Sequence, residues 1–227
     1  MKTLLITIVP SIIILLYFFL SDKFKEPKGT VALVFILGVL ICFPAGILND
    51  FMISNFGDPK DINDLTYSFF GPAWTEEVLK FLVLYLIVLR RNEFNEPMDG
   101  IVYGVVVSLG FATYENYDYV FRLAETWEIV PEQMAIWRSY SAIPMHGLNG
   151  CLMGFYFGMY AFSAENKFLL RSLYVPYFFH GVYNYFTAYS PFNILIIFIM
   201  IGFAFYLHNE LKILQKKKDK ESEYKKI

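Results

Sequence analysis

The chain has 227 residues, of which 56% are hydrophobic and 19% aromatic, and a formal net charge of −2. Soluble domains carry about 25% charged residues. This chain carries 18%, gathered in short loops and a Lys-rich C-terminal end. Such a composition excludes a soluble enzyme and a nucleic-acid-binding protein, which needs a continuous basic face. It places the chain among all-α, polytopic membrane proteins, with no room for a second soluble domain.

An apolar helix needs about 20 residues to cross the hydrocarbon, and seven stretches qualify: 3–20, 30–53, 67–89, 98–121, 141–162, 172–189 and 191–211. The expectation is one integral membrane domain over 1–227, with a bundle of seven spans. The first stretch begins like a signal sequence, Lys2 preceding a long apolar run, but no small-residue cleavage site comes before Ser21, so it reads as a retained anchor. Between the fourth and fifth spans, residues 123–139 mix Trp127 and Trp137 with Glu125, Glu128 and Glu132 around Pro131. That mixture suits an interfacial segment or a solvated loop. Residues 212–227 form a basic tail that favours anionic lipid. Cys42 and Cys151 lie in apolar runs and read as buried free thiols.

Lys and Arg in loops set orientation. Placing loops 1, 3 and 5 and the tail on one side collects fourteen, namely Lys23, Lys25, Lys28, Arg90, Arg91, Lys167, Arg171 and seven tail lysines. The other side holds Lys2, Lys60, Arg122 and Arg138. This predicts a multi-pass protein of the cell membrane, its C-terminus cytoplasmic and its N-terminus outside.

Against that apolar background stand Glu76, Glu77, Glu115, His146 and His180, all inside spans, with Lys80 one turn beyond Glu76. Each ionisable group at mid-bilayer costs roughly 2.5–3.5 kcal/mol on insertion scales. Carboxylates and imidazoles together are the materials of acid–base and metal chemistry. At a rise of about 1.5 Å per residue, Glu76 and Glu77 lie ~15 Å below the outer face, Glu115 ~10 Å, His146 ~8 Å and His180 ~14 Å, with Asn184 at ~8 Å. Four helices thus bring their polar groups to one layer, and the expected active site lies within spans three to six. Glu76 and Lys80, spaced i, i+4, suit an ion pair. Glu76 and Glu77 point about 100° apart, so one can face a cavity while the other bonds a neighbouring helix. His180 and Asn184 share a face. Gly150, Gly154 and Gly158 form a small-residue stripe for close helix packing. Pro72, Pro144 and Pro176 fall in the first turns of the predicted spans. Asp99 and Asp118 read as solvated span ends, and His208 as an interfacial residue outside the site.

Glu76-Glu77-Val-Leu-Lys80, Phe111-x-x-x-Glu115-Asn116, His146-Gly147 and His180-Gly-x-x-Asn184 together resemble the PrsW family of intramembrane proteases. The likeness covers about residues 65–190, in order on four successive spans. PrsW proteins are similar to the CAAX prenyl endopeptidase and bacteriocin-processing families, which have Arg where this chain has Lys80 and His where it has Glu115. The resemblance implies cleavage of a single-span membrane protein, an anti-sigma factor, on its extracytoplasmic side.

There is no HExxH and no GxSxG, so Glu and His carry the chemistry. In one mechanism Glu115, His146 and His180 hold zinc, with Glu76 as general base and Glu77 bonding nearby or completing the ligand set. In the other, a metal-free glutamate protease, Glu76 activates water with Glu115, and His180 and Asn184 form the oxyanion pocket. A proton-coupled transporter or a silent membrane scaffold remain as alternatives of another class. No inverted repeat supports a transporter, and the polar groups stop in one half of the bilayer.

Overall fold

The computed structural model describes residues 1–56, 65–187 and 192–218. Lys60, Tyr189 and the tail beyond Lys218 lie outside the described residues. Every described element is a helix: α1 (Lys2–Ser21), α2 (Lys28–Leu40), α3 (Cys42–Phe56), α4 (Leu65–Ser68), α5 (Trp74–Val83), α6 (Pro97–Asp118), α7 (Ala124–Thr126), α8 (Pro131–Tyr140), α9 (Ala142–Ser163), α10 (Asn166–Thr187) and α11 (Phe192–Lys218). Three π-helical turns, Phe69–Ala73, Leu84–Val88 and Tyr119–Leu123, extend α4, α5 and α6.

Among the described residues, three helical runs are long and apolar enough to cross a membrane by length and composition: Lys2–Ser21, Lys28–Asn55 and Phe192–Lys217. They present apolar side chains outward, as at Ile13, Ile47 and Phe198, which is the face a bilayer would cover. Helices α6 and α9 lie close to the predicted stretches 98–121 and 141–162, α10 begins six residues before the predicted 172–189, and the predicted 67–89 stretch is broken at Gly71; the surfaces of these helices meet protein.

The clearest case is α6, in which every residue from Pro97 to Ala112 is buried. Met98, Ile101, Val105 and Leu109 enter a core shared with α9 and α11. Val102, Tyr103, Val106 and Val107 enter a second core with α2 and α5. A helix that is apolar all round belongs in a protein interior, and here it is the post around which the bundle is built. It starts at a capping box: Asp99 accepts the Glu96 N–H at 2.9 Å, and Pro97, which has no N–H to lose, takes the first helical position.

The small-residue stripe meets a second one on α6. A Cβ at Gly154 would lie 2.1 Å from the Gly100 carbonyl oxygen, and one at Gly104 2.4 Å from that of Gly150. The two backbones therefore touch, which fixes the level of His146 on α9 against Glu115 on α6.

Three expectations change. Pro176 is not in a first turn, because α10 begins at Asn166 and the proline lies inside it. Asp99 is not solvated but 1% exposed, and His208 is also buried, its Nε2 2.9 Å from Ser21 Oγ. Both lie where α1, α6 and α11 pack together, which hydropathy along one segment does not reveal. Residues 131–140 form a helix, α8, that buries Met134 and Ala135, so this part of the 123–139 segment is more than a solvated loop. Neither thiol forms a disulfide. Cys151 is buried and Cys42 half-buried.

Candidate active site

Gly71 leaves the helical region (φ −81°, ψ −116°) beside Pro72, and the helix restarts as α5. Glu76 and Glu77 thus fall in the first turn of α5, where the helix dipole favours negative charge. Phe69, in the π turn before it, lies over Gly181 of α10, where a Cβ would come within 2.2 Å of the ring. This contact holds the start of α5 against His180.

Glu76, Glu77, Lys80, His146 and His180 are all 2% exposed or less. The adjacent glutamates do diverge. Glu76 lines a cavity of about 680 Å³, together with Glu115, His146, His180 and Asn184. Glu77 points into protein, its Oε1 2.8 Å from both Lys80 Nζ and His180 Nδ1. Lys80 is therefore closer to Glu77 than to Glu76, whose Oε2 lies 3.6 Å away. The i, i+4 spacing suggested Glu76 as partner; the i, i+3 neighbour is nearer because the cavity draws Glu76 aside. The same ammonium lies 3.1 Å from His146 Nδ1 and 4.4 Å from the centre of the Phe111 ring.

These contacts define both imidazoles. A carboxylate only accepts hydrogen bonds, so in the neutral His180 ring Nδ1 carries the proton and Nε2 the lone pair. That Nε2 faces Glu76 Oε2 at 3.9 Å. His146 Nε2 faces Glu115 Oε2 at 3.0 Å, which leaves its lone pair on Nδ1. The rings meet edge to face, 5.2 Å apart.

Glu76, His146 and His180 each offer a ligand atom within 4.8 Å of the others. Glu76 Oε2 is buried and has no hydrogen-bond partner. Two imidazoles and a carboxylate, with an orphaned oxygen among them, fit a zinc-type ion. Each histidine is backed by its own carboxylate, an arrangement common around metal-binding histidines. The formal charges agree: three carboxylates face two cations, Lys80 and Arg138, which leaves a negative remainder for an ion to offset.

Glu115 is not part of that triad, although it lines the same cavity and faces His146 Nε2. Its Oε2 is also 2.5 Å from Arg138 Nη2. Asn184 is on the cavity wall and donates to the Ser68 carbonyl at 3.4 Å. Arg138, expected only as a loop charge, joins this cluster. It reaches from α8 to Glu115 and to Asn116 Oδ1 at 2.8 Å, with its guanidinium 3.7 Å from the centre of the Tyr119 ring. The signal available was a basic residue next to Trp137, just before an apolar span.

Comparison with known proteins assigns the chain to a family. A family described as PrsW family intramembrane metalloprotease matches residues 26–208. The chain is 36% identical to a protease PrsW of Geobacillus kaustophilus over 78% of this chain and 76% of that protein. It is 36% identical to protease PrsW of Bacillus subtilis over 88% of each, and 31% identical to that of Shouchella clausii over 88% of each. No solved structure matches the chain significantly.

Proposed function

Because the chain belongs to the PrsW family of intramembrane proteases, we propose that it cuts a single-span membrane protein by metal-assisted water activation at Glu76, His146 and His180. The observation that carries this reading is the triad itself: three ligand atoms within 4.8 Å of one another on a cavity wall. The lone pair assigned to His180 Nε2 faces Glu76 Oε2 at 3.9 Å, and that of His146 Nδ1 faces Lys80 Nζ at 3.1 Å.

A zinc-type ion supplies a water acidified to a pKa of about 7 and a positive charge for the scissile carbonyl. The chain's own residues supply the rest. Glu77 and Glu115 fix the tautomers of His180 and His146. Glu76 would help hold the ion, and its carboxylate would take a proton from water and return it to the leaving amine. The Asn184 amide, one turn from His180, would donate to the carbonyl oxygen as it becomes negative. Glu115, expected as the third ligand, becomes the group that orients His146, since Arg138 and the far ring nitrogen hold it.

A metal-free glutamate protease is the second reading, favoured by one observation. The Lys80 ammonium already lies beside Glu76, Glu77 and His146 Nδ1, the position of a resident cation. In the metal reading Lys80 has to withdraw from Nδ1 toward Glu77.

The loop charges support a cytoplasmic tail, an outer N-terminus and seven crossings, which put the cavity in the outer half of the bilayer. The substrate is then cut near its extracytoplasmic border, and an anti-sigma factor is the class that the family resemblance implies. The test is zinc content of the purified protein alongside cleavage of a single-span reporter. One zinc per chain, lost in His180→Ala together with cleavage, supports the metal reading. Full cleavage by zinc-free protein refutes it.

A further inference from the structure

A second group of buried acids lies at the other end of α6. Asp22 caps the C-terminus of α1, Glu26 lies in the connection to α2, and Asp99 lies in the first turn of α6. They are 1%, 5% and 1% exposed. Each offers a carboxylate oxygen within 4.8 Å of the others. Asp99 and Glu115 are 16 residues apart on one helix, roughly 24 Å, so this cluster is separate from the protease site.

Each carboxylate uses one oxygen locally. Asp22 Oδ1 accepts from the Phe24 N–H at 3.0 Å and from Gln215 Nε2 at 2.7 Å. Asp99 Oδ2 accepts from the backbone N–H groups of Asn95, at 2.7 Å, and Glu96, at 2.9 Å. The Tyr103 hydroxyl donates to Glu26 Oε2. Asp22 Oδ2 and Asp99 Oδ1 are left buried with no hydrogen-bond partner. No described residue forms an ion pair with any of the three acids. The Lys25 ammonium bonds the backbone carbonyls of Leu20 and Asp22 instead. Glu96, fully buried, adds a fourth carboxylate and also accepts from Gln215.

Like charges this close and this buried repel unless something offsets them. The cluster members are all oxygen donors, with neither thiol nor imidazole among them. Such a set selects hard cations, magnesium or calcium, over zinc. We infer that Asp22, Glu26 and Asp99 bind a hard divalent cation that clamps the end of α1 and the start of α6 together. Gln215 extends the clamp to α11 through its bonds to Asp22 and Glu96. The cation serves as a structural staple at the base of the helix that carries Glu115.

The test uses the full chain in nanodiscs, stripped with EDTA and titrated with terbium(III) as a calcium-like probe. Tyr103, bonded to Glu26, is the sensitiser. A His146→Ala/His180→Ala variant is run in parallel to remove the protease site. The expected result is a saturable tyrosine-sensitised luminescence, present in that variant as well, and displaced by calcium or magnesium. Glu26→Gln and Asp99→Asn should each weaken it by at least roughly tenfold. Should those variants fail to fold, the wild-type chain still decides, because its melting temperature should rise when magnesium or calcium is added after stripping. No saturable signal, a signal lost only with the histidines, or a melting temperature indifferent to both ions would overturn the inference. In that event the acids share a proton.

Discussion

Glu77→Gln tests how the site is organised without removing any group that faces the cavity. Glu77 Oε1 receives His180 Nδ1–H and Lys80, each at 2.8 Å, and its side chain is fully buried. Glutamine keeps an acceptor oxygen of the same reach, so the His180 tautomer can persist, but the bond loses its charge. Hydrogen bonds to charged groups contribute about 1.5–3 kcal/mol and neutral ones about 0.5–1.5 kcal/mol. The difference, roughly 1–1.5 kcal/mol, is close to tenfold in affinity and matches the low end of the 10–100-fold typical when a carboxylate behind a metal-binding histidine is removed. Zinc affinity and cleavage should therefore fall together by about tenfold. Stability should fall by less than the roughly 3–5 kcal/mol of a wholly unpaired buried charge, because Glu76 remains 3.6 Å from Lys80. Reporter cleavage in proteoliposomes and zinc retention across a chelator series measure the two effects. Wild-type zinc retention and cleavage in Glu77→Gln would refute the idea that Glu77 orients His180 for ligation.

Glu76→Gln and His146→Ala should each abolish reporter cleavage while membrane insertion, followed by protease protection, stays normal; a variant of either kind that still cleaves removes that residue from the mechanism. Prolonged chelation should inactivate the wild type, and added zinc should restore cleavage, whereas chelator-resistant activity favours the glutamate mechanism. Arg138→Leu leaves Glu115 partly buried without its cation and should lower cleavage by about tenfold or more. Arg138→Lys should rescue it poorly, since an ammonium cannot reach Glu115 and Asn116 at once as the guanidinium fork does. At Gly154 an added Cβ would sit 2.1 Å from the Gly100 carbonyl, so Gly154→Leu must force α6 and α9 apart. Overpacking of this kind costs about 1–3 kcal/mol or more, read as a lower melting temperature together with lost cleavage, and an unchanged melting temperature would contradict the close approach of the two backbones.

By itself, the sequence determined the all-helical membrane character, the positions of the long helices and the common level of Glu76, Glu115, His146 and His180. These follow from hydropathy and from the fixed rise of a helix, both local properties that need no partner. The divergence of Glu76 and Glu77 was legible for the same reason, since neighbours on a helix always point apart. Which of the two turns to the cavity was settled by where α10 packs, because His180 captures Glu77. Tertiary structure also left Glu115 out of the triad, against His146 Nε2, and brought Arg138 to it from a separate short helix. It buried Asp22, Glu26 and Asp99 at or near helix ends, and His208 within α11. A side chain's rotation about its helix is known from the chain, but what it meets depends on a distant neighbour, as Glu77 meets His180 103 residues on, and only packing supplies that neighbour.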